Sequence, residues 1–309
     1  MTEEMKARTL GVEIEFTGIT RSMVATVLRH YFSSESYHYG GGYDKYLVED
    51  NQDRTWTVMS DASIKPQKNL NGNIEWLSSE SYPGKLRKCE LVTPILTWKD
   101  IETLQELVKK IEEKGGVVNS SCGIHIHIGA EAFSIEKLKD LVNLMTSKED
   151  LIYKALNIFP NRIAYCHKTN KVFLKKLNET NPKEKTELAK IWYNSEYIQS
   201  HINTHYDDSR YTHTNLHAYF TKGTVEFRLF NSTLNPVLIK SYIQFCLAVV
   251  ARVLSCNRPI RYKEDIIDNE KFQMRTWLRQ LGLNGEEYRD CRYTFLNKLS
   301  GDLVNRKAS

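Results

Sequence analysis

Two histidines separated by a single isoleucine lie in the stretch from Cys122 to Gly129. Successive side chains of a β-strand point to opposite faces, so His125 and His127 share one face and the neighbouring isoleucines share the other. Two imidazoles backed by an apolar face form a polar surface that can bind a metal ion or an anion. We therefore expect any functional site of this chain to be built around this strand.

Carboxylates occupy similar positions on two other predicted strands. Glu13 and Glu15 alternate with apolar residues over 10–16, and on one strand face their Cα atoms would lie roughly 6.5–7 Å apart. This separation suits adjacent metal ions, and a solvated outer face of a surface strand would give the same pattern. Glu90 lies on a strand predicted over 88–93 and is either a further metal ligand or a carboxylate at a sheet edge.

A glutamate and an arginine share the polar face of another strand, predicted over 224–230. Glu226 would add an oxygen ligand for a hard cation, and Arg228 would bind an anion in a bidentate manner. Arg162 and Arg210 are further candidates for anion binding. Carboxylates that hold magnesium, together with arginines, are what phosphoryl transfer requires, because it is catalysed mainly by positioning and charge neutralisation.

The elements that must position these residues are short strands joined by hairpins and by single helices. This pattern favours an α+β fold with a mostly antiparallel sheet. Apolar residues at helical spacing predict helices over 20–31, 98–114 and 237–253. We also predict helices over 134–145, 148–159 and 168–200, two or three more over 263–298, strands over 55–59 and 74–77, a strand that ends at Phe220 before a turn over 221–223, loops over 34–53 and 160–166, and a frayed tail over 300–309.

The composition of the 309 residues is typical of a soluble globular protein, with 41% hydrophobic and 26% charged residues. The net charge of +5 comes without a polybasic tract, so we expect no nucleic-acid or membrane partner. No apolar run approaches the roughly 20 residues of a membrane span, and the first residues lack the apolar core of a secretory signal. The six cysteines are scattered without a CxxC pair, which predicts a reduced, cytoplasmic protein without a zinc site.

Taken in chain order, the motifs resemble those of the amidoligase family, which belongs to the carboxylate–amine ligases related to glutamine synthetase and glutamate–cysteine ligase. The resemblance covers about residues 8–255. It rests on Gly11-Val12-Glu13-Ile14-Glu15-Phe16, Cys89-Glu90-Leu91-Val92-Thr93-Pro94, Cys122-Gly123-Ile124-His125-Ile126-His127, the segment from Arg210 to Leu216, and Val225-Glu226-Phe227-Arg228.

The resemblance implies a glutamine-synthetase-like fold in which a twisted, mostly antiparallel sheet forms the active-site wall and helices pack on its outer face. It implies a catalytic domain over 1–255 with a helical insertion at about 134–205, and a helical extension over 256–309 packed on the same domain. It also implies a reaction that depends on ATP and Mg²⁺, with Mn²⁺ as an alternative ion. ATP would phosphorylate a substrate carboxylate, and an amine would attack the acyl phosphate to form an amide.

Carried over position by position, the resemblance implies roles for individual residues. His125 would contact both metal and phosphate, His127 would lie nearer the nucleotide, and Arg228 would bind the transferred phosphoryl group. The implied metal ligands are Glu13, Glu15, Glu90, His125 and Glu226.

Four further residues resemble less distinctive positions of the family. Asp61 resembles the acidic residue beside the amine or metal site. Arg162, Arg210 and Asn215 resemble the phosphate- and substrate-binding positions. No adenine-binding motif is evident, so the nucleotide pocket is inferred from the resemblance alone.

Two other functions remain open at this point. Clustered glutamates and histidines also activate water in metal-dependent hydrolases and nucleases, and a relative that kept the fold could bind a nucleotide or peptide without catalysis. The sequence does not select among amino acids, peptides and protein side chains as the carboxylate and amine substrates, and it is compatible with a homo-oligomer. The basic segment over 166–190 either binds an acidic peptide or is a solvated helix face.

Overall fold

The computed structural model describes residues 2–264 and 268–303. Its strands are β1 (Leu10–Phe16), β2 (Ser36–Gly40), β3 (Lys45–Glu49), β4 (Thr55–Met59), β5 (Gln67–Leu70), β6 (Asn73–Trp76), β7 (Cys89–Val92), β8 (Gly123–Gly129), β9 (Thr214–Asn215) and β10 (Thr224–Asn231). Its α-helices are α1 (Glu3–Lys6), α2 (Arg21–Phe32), α3 (Tyr82–Lys85), α4 (Ile101–Glu113), α5 (Ile135–Leu156), α6 (Pro160–Ile163), α7 (Lys171–Thr180), α8 (Lys185–Tyr193), α9 (Ile198–Ile202), α10 (His217–Lys222), α11 (Pro236–Ser255), α12 (Glu270–Gln280) and α13 (Arg289–Leu296). Single 3-10 turns lie at Trp98–Asp100, Asp208–Arg210 and Glu286–Tyr288.

The main sheet has eight strands in the order β2-β3-β4-β7-β1-β8-β10-β9, and β5 with β6 forms a separate two-stranded sheet. The strand pairs on both sides of β7, on both sides of β3, and between β9 and β10 are antiparallel. The prediction of an α+β fold with a mostly antiparallel sheet is therefore confirmed. The strands predicted around residues 10–16, 88–93 and 224–230 are present as β1, β7 and β10.

The chain divides into two compact units. The first unit consists of residues 9–126 and 230–240, and the second consists of residues 1–8, 127–229 and 241–309. Strands β8 and β10 each contribute residues to both units. The domain boundaries implied by the resemblance, 1–255 and 256–309, stay predictions.

The core of the first unit lies between one face of its strands and two helices. Val12, Ile14 and Phe16 on β1 are almost completely buried, as the alternating pattern predicts. Helix α2 packs against α4 and against β3 and β4. It begins after Thr20, whose hydroxyl accepts a hydrogen bond from the Met23 N–H and so satisfies one of the free amides of the first turn. The predictions of α2 and α4 are confirmed.

The core of the second unit is built from helices. Helix α13 packs against α5 and α12, and Phe245 of α11 stacks on Phe295 of α13 with ring centroids 4.4 Å apart. The expectation that no apolar run approaches the length of a membrane span is wrong. Helix α11 has 20 residues and is long and apolar enough to cross a membrane by length and composition alone. However, 72% of its apolar window is buried inside the protein, as in a core helix.

The prediction of a long loop over 34–53 is wrong, because β2 and β3 form an antiparallel hairpin there. The loop is predicted because the segment lacks an alternation of apolar and polar residues, and that alternation arises only where one strand face is buried. Strand β2 is the first strand of the sheet, and Tyr37 and Tyr39 are 66% and 65% exposed. The glycines at 40 and 41 supply positive φ angles at the turn of this hairpin.

Two helices predicted over 134–145 and 148–159 are a single helix, α5. Neither glycine nor proline lies between them, and the Ser147 hydroxyl donates to the Asn143 carbonyl at 2.7 Å, a bond made within a continuous helix. The loop predicted over 160–166 begins with the short helix α6, which has Pro160 at its first position, where proline is favoured.

The prediction of a strand that ends at Phe220 is also wrong. Only Thr214 and Asn215 pair with β10, as β9, and the chain then forms helix α10. Gly223 does not turn a hairpin. It ends the helix in the left-handed conformation, with a φ of 70°.

Several other predictions are confirmed, including the strands over 55–59 and 74–77 and the helices over 168–200 and 237–253. Strand β5, the partner of β6, was not predicted. Helices α12 and α13 and a 3-10 turn between them correspond to the helices predicted over 263–298, although residues 265–267 lie outside the described residues. The tail predicted over 300–309 also lies mostly outside them.

Candidate functional site

The first unit carries a buried group of two carboxylates and an imidazole. Glu15 on β1 pairs directly with Glu90 on β7, and the side chain of His125 on β8 lies beside them. One potential ligand atom from each of the three residues lies within 4.8 Å of the other two. All three residues are buried, with exposed fractions of 2%, 6% and 4%. We call Glu15, Glu90 and His125 the carboxylate–histidine cluster.

The cluster is held in place by two bonds. The N–H of Gly123 donates to Glu15 Oε2 at 2.6 Å, which fixes one oxygen of this carboxylate. Glu13, two residues before Glu15 on β1, contacts His125 on the other side of the ring, with Oε2 3.0 Å from Nδ1. The Nε2 atom of the same ring lies 3.8 Å from Glu15 Oε1. Glu13 thus orients the His125 ring so that its second nitrogen points towards Glu15. This arrangement is often found around metal-binding histidines.

The donor atoms of the cluster fit a hard divalent cation. Mg²⁺ and Mn²⁺ bind through carboxylate oxygens, and an imidazole is also a suitable ligand for Mn²⁺. Two ionised carboxylates at directly opposed positions on neighbouring strands repel one another, and burial strengthens the repulsion. A bound cation would remove that repulsion.

The second unit carries a different group, which contains a buried ion pair. Arg228 and Glu226 lie two residues apart on β10 and point to the same face, with Arg228 Nη1 2.5 Å from Glu226 Oε1. The side chain of Asn215, directly opposite on β9, donates from Nδ2 to Glu226 Oε2 at 2.7 Å. Both carboxylate oxygens of Glu226 are therefore bonded to named partners.

His127 approaches the same carboxylate. Its Nε2 atom lies 3.9 Å from Glu226 Oε1, and its Nδ1 atom lies 2.9 Å from the hydroxyl of Thr224. His125 and His127 are separated by one residue on β8, so they share a strand face as the sequence predicts.

Arg162, on α6, positions the neighbouring strand. Its Nη2 donates to the carbonyl of Arg228 at 3.1 Å, and the side chain is almost fully buried, with 2% exposure. The guanidinium of Arg228 in turn lies 3.4 Å from the Tyr165 carbonyl and 5.9 Å from the centre of the Tyr211 ring. Two arginines predicted from the sequence to bind anions thus lie next to each other in the second unit.

A small cavity in the second unit brings three predicted residues together. It has a volume of about 270 Å³, and its lining includes Arg210, Asn215 and Glu226. Arg210 also donates from Nη1 to the His205 carbonyl at 3.0 Å. A pocket with a guanidinium, an amide and a carboxylate in its lining can bind both the charged and the polar groups of a small ligand.

The same cavity is lined by His217 and Lys222, which the sequence analysis did not select. The Nδ1 atom of His217 lies 2.8 Å from the Tyr193 hydroxyl, and burial lowers the pKa of this histidine, which favours its neutral form. The signal that could have identified His217 is its spacing of two from Asn215. The sequence predicts a strand through both residues, whereas the structure places both in the lining of the cavity.

Asp61 follows β4 in the first unit. Its Oδ1 accepts hydrogen bonds from the N–H of Ser63 at 2.7 Å and from the Ser63 hydroxyl at 2.5 Å. This is the geometry of an aspartate turn, in which the carboxylate satisfies the backbone two residues further on. A role for Asp61 beside the amine stays a prediction.

The structure places predicted site residues in each of the two units. The structure brings Glu13, Glu15, Glu90 and His125 together in the first unit. It brings His127, Asn215, Glu226 and Arg228 together in the second unit, with Arg162 behind them. The family model described as putative amidoligase enzyme matches residues 6–250, in agreement with the resemblance of the motifs. Among curated proteins, none matches the chain.

Proposed function

Because the chain belongs to the amidoligase family, we propose that it is a carboxylate–amine ligase that uses ATP and a divalent cation to form an amide or isopeptide bond. The single observation that carries the proposal is the carboxylate–histidine cluster of Glu15, Glu90 and His125, with its donor atoms within 4.8 Å of one another and its side chains buried. Two ionised carboxylates are costly to bury side by side without a cation, and phosphoryl transfer from ATP uses divalent cations to neutralise the charge of the triphosphate.

We assign the cation, Mg²⁺ or Mn²⁺, to Glu15, Glu90 and His125, with Glu13 as an additional ligand or as the residue that orients His125. A cation in this position would neutralise triphosphate charge and so favour transfer of the terminal phosphoryl group. Glu13 contributes by holding the His125 ring through Nδ1, because a ligand that is already oriented loses less conformational freedom on binding.

We assign the phosphate groups to the residues of the second unit. Arg228 would stabilise charge on the transferred phosphoryl group, and Glu226 would orient the guanidinium through their ion pair; a role of Glu226 as a metal ligand stays a prediction. Arg162 is the positioning residue, because its bond to the Arg228 carbonyl fixes the strand rather than the guanidinium. His127, Arg210 and Asn215 would contact the nucleotide or the substrate carboxylate.

The chemical logic of the reaction follows from the leaving group. A carboxylate does not react with an amine because oxide is a poor leaving group. Transfer of a phosphoryl group to the carboxylate oxygen converts it into phosphate, which leaves when the amine nitrogen attacks the acyl carbon. We further propose a glutamine-synthetase-like arrangement of the sheet, an amine site that includes Asp61, and a cytoplasmic location.

The experiment that tests this function is phosphate release in the presence of ATP and Mg²⁺, with panels of amino acids, peptides and amines. Mass spectrometry of the positive combinations would identify the product. We expect phosphate release to require both a carboxylate and an amine, and the product mass to equal the sum of the substrates minus one water.

Two outcomes would contradict the proposal. Cleavage of a substrate that requires the metal but not ATP would identify a hydrolase. Binding of ATP without turnover in the presence of every carboxylate and amine tested would identify a non-catalytic relative.

A further inference from the structure

A groove in the second unit lies between α5, α7 and the segment 254–262, and its lining includes none of the residues assigned to the reaction. Its volume is about 1200 Å³, larger than the roughly 300–1,000 Å³ of an ordinary small-molecule pocket. Seven lysine and arginine side chains and three carboxylates line it. We call this feature the basic groove.

One side of the basic groove is fixed by buried polar side chains of α5. Asp140 accepts a hydrogen bond from the N–H of Ile260 at 2.9 Å, and Asn143 donates to the carbonyl of the same residue at 2.9 Å. Asp140 and Asn143 are 4% and 0% exposed. Both backbone groups of Ile260 are thus held by buried partners, which sets the path of the residues on either side of it.

The same segment is held at a second point. The Ser147 hydroxyl accepts a bond from the Lys263 N–H at 3.0 Å, and Lys171 on α7 donates to the Tyr262 hydroxyl at 3.2 Å. The Lys171 ammonium also lies 5.3 Å from the centre of the Tyr262 ring. The groove is therefore formed before any ligand binds, which lowers the entropic cost of binding.

The charges of the groove do not balance. Each of its three carboxylates is paired with a lysine of the same groove: Asp140 with Lys137 at 3.6 Å, Glu179 with Lys175 at 3.8 Å, and Glu136 with Lys183. Arg258 and Arg261 are exposed, and neither forms an ion pair within residues 2–264 and 268–303. Together with Lys139 on α5, these arginines leave an excess of positive charge in the groove.

We propose that the basic groove binds an acidic, extended polypeptide segment of a partner protein. Charge complementarity favours an anion, and the guanidinium groups of Arg258 and Arg261 can bind carboxylates in a bidentate manner. Apolar side chains also line the groove, including Leu174 and Ile260, and these suit the aliphatic parts of a peptide.

A polypeptide fits this lining better than a nucleic acid. The three carboxylates each neutralise a lysine of the groove, so the remaining cations do not form the continuous positive track that a phosphate backbone binds. A peptide can place its own acidic side chains opposite the arginines and its amides opposite the carboxylates. The proposal concerns recognition, and it holds whether or not the bound protein is the substrate of the ligase.

The test is fluorescence anisotropy with the full chain and a fluorescein-labelled peptide of alternating glutamate and alanine. Matched probes are a peptide of alternating lysine and alanine and a deoxythymidine oligonucleotide. We expect the glutamate peptide to bind best. We expect the double substitution Arg258→Ala, Arg261→Ala to raise its Kd about tenfold at low salt, since each exposed charge contributes modestly.

Two further variants distinguish binding in the basic groove from nonspecific attraction by the positive charge of the protein. The double substitution Arg279→Ala, Arg289→Ala removes the same charge from exposed positions on α12 and α13 outside the groove, and we expect it to change Kd by less than about twofold. Glu179→Gln removes an acid from the groove and should tighten binding. Equal losses in both double variants, tighter binding of the oligonucleotide than of the peptide, or no binding of the glutamate peptide would each overturn the proposal.

Discussion

Glu15 and Glu90 lie directly opposite each other in the antiparallel pairing of β1 with β7, and both side chains are buried. Like charges at directly opposed positions destabilise a sheet, and the low dielectric of a buried site strengthens the effect. Two ionised carboxylates at this position would therefore carry an electrostatic cost, and a bound cation would remove it. The predictions on metal binding follow from this relationship.

Substitution of Glu90 by Gln should remove the repulsion and the cation site together. We expect the Tm of the ion-free variant to equal or exceed that of the ion-free wild type. We also expect the rise in Tm that Mg²⁺ or Mn²⁺ gives the wild type to disappear, since an ion at a hundred times its Kd stabilises a protein by about 2.7 kcal/mol. Thermal unfolding with and without the ions measures both effects.

The matched control for this substitution is Glu75→Gln, which removes the same charge from an exposed position on β6. This control should retain the ion-dependent shift of the wild type. An undiminished shift in the Glu90 variant would mean that the ion binds elsewhere.

Substitution of Arg228 by Ala should both destabilise the protein and stop turnover of ATP. The arginine is 3% exposed and forms a buried ion pair with Glu226, and loss of one partner leaves the other charge buried, at a cost of about 3–5 kcal/mol. Urea unfolding measures the loss of stability, and phosphate release measures turnover. Arg228→Lys keeps the charge but not the bidentate geometry, so it should recover part of the stability and little of the activity.

The Arg228 prediction would be contradicted by an alanine variant that is as stable as the wild type or that releases phosphate at the wild-type rate. Arg279→Ala, at an exposed position on α12, is the control for loss of one positive charge. It should leave both measurements unchanged.

Much of the candidate site could be predicted because most of the site residues lie on strands with one apolar face. Val12 and Ile14 are buried on β1, and Val225 and Phe227 are buried on β10. The alternation of such residues with glutamates therefore identifies both the strand and its polar face. Strand β2 has no buried face, so the same reasoning fails there.

The pairing of the strands could not be predicted from local pattern. Glu15 and Glu90 are far apart in the chain, and the register that places them opposite each other is set by packing of the whole sheet. The prediction of a strand over the segment from His217 to Lys222 failed for a different reason. Its residues are compatible with a strand or with a helix. Gly223 does not decide between them from sequence, because a glycine with a positive φ can end a helix or form a hairpin turn.

His217, one of the buried histidines of the second unit, predicts a pH dependence of stability. Burial lowers the pKa of His217 in the folded protein, so protonation favours the unfolded state. Its contribution to stability is therefore fully present above the unfolded pKa of about 6.5 and is lost as the pH falls towards the lower folded value. We expect the free energy of unfolding of His217→Gln to fall less between neutral and mildly acidic pH than that of the wild type.

Chemical unfolding across this pH range measures the difference between the two proteins. His30→Gln, which changes an exposed histidine on α2, should follow the wild-type curve. If the His217 variant also follows the wild-type curve, titration of His217 is not linked to folding.

The left-handed conformation of Gly223 at the end of α10 predicts that substitution of this residue lowers stability through backbone strain rather than through packing. A Cβ at this position would meet no atom within 4 Å, but φ is 70°, so Gly223→Ala should destabilise the protein by about 1 kcal/mol through strain alone. Gly223→Asn should cost less, because asparagine tolerates this conformation. Gly42→Ala is the control, since that glycine has open space and no positive φ. Equal stabilities of the two alanine variants, measured by urea unfolding, would contradict this account of α10.

The most direct test of the ligase proposal follows the oxygen atoms of the substrate. A carboxylate that supports phosphate release would be labelled with ¹⁸O in both oxygens and incubated with ATP, Mg²⁺ and the amine. Transfer through an acyl phosphate predicts that one labelled oxygen appears in the released phosphate for each amide formed, and that Glu90→Gln abolishes both. Amide formation with unlabelled phosphate, or phosphate release without any label from the carboxylate, would contradict the proposed mechanism.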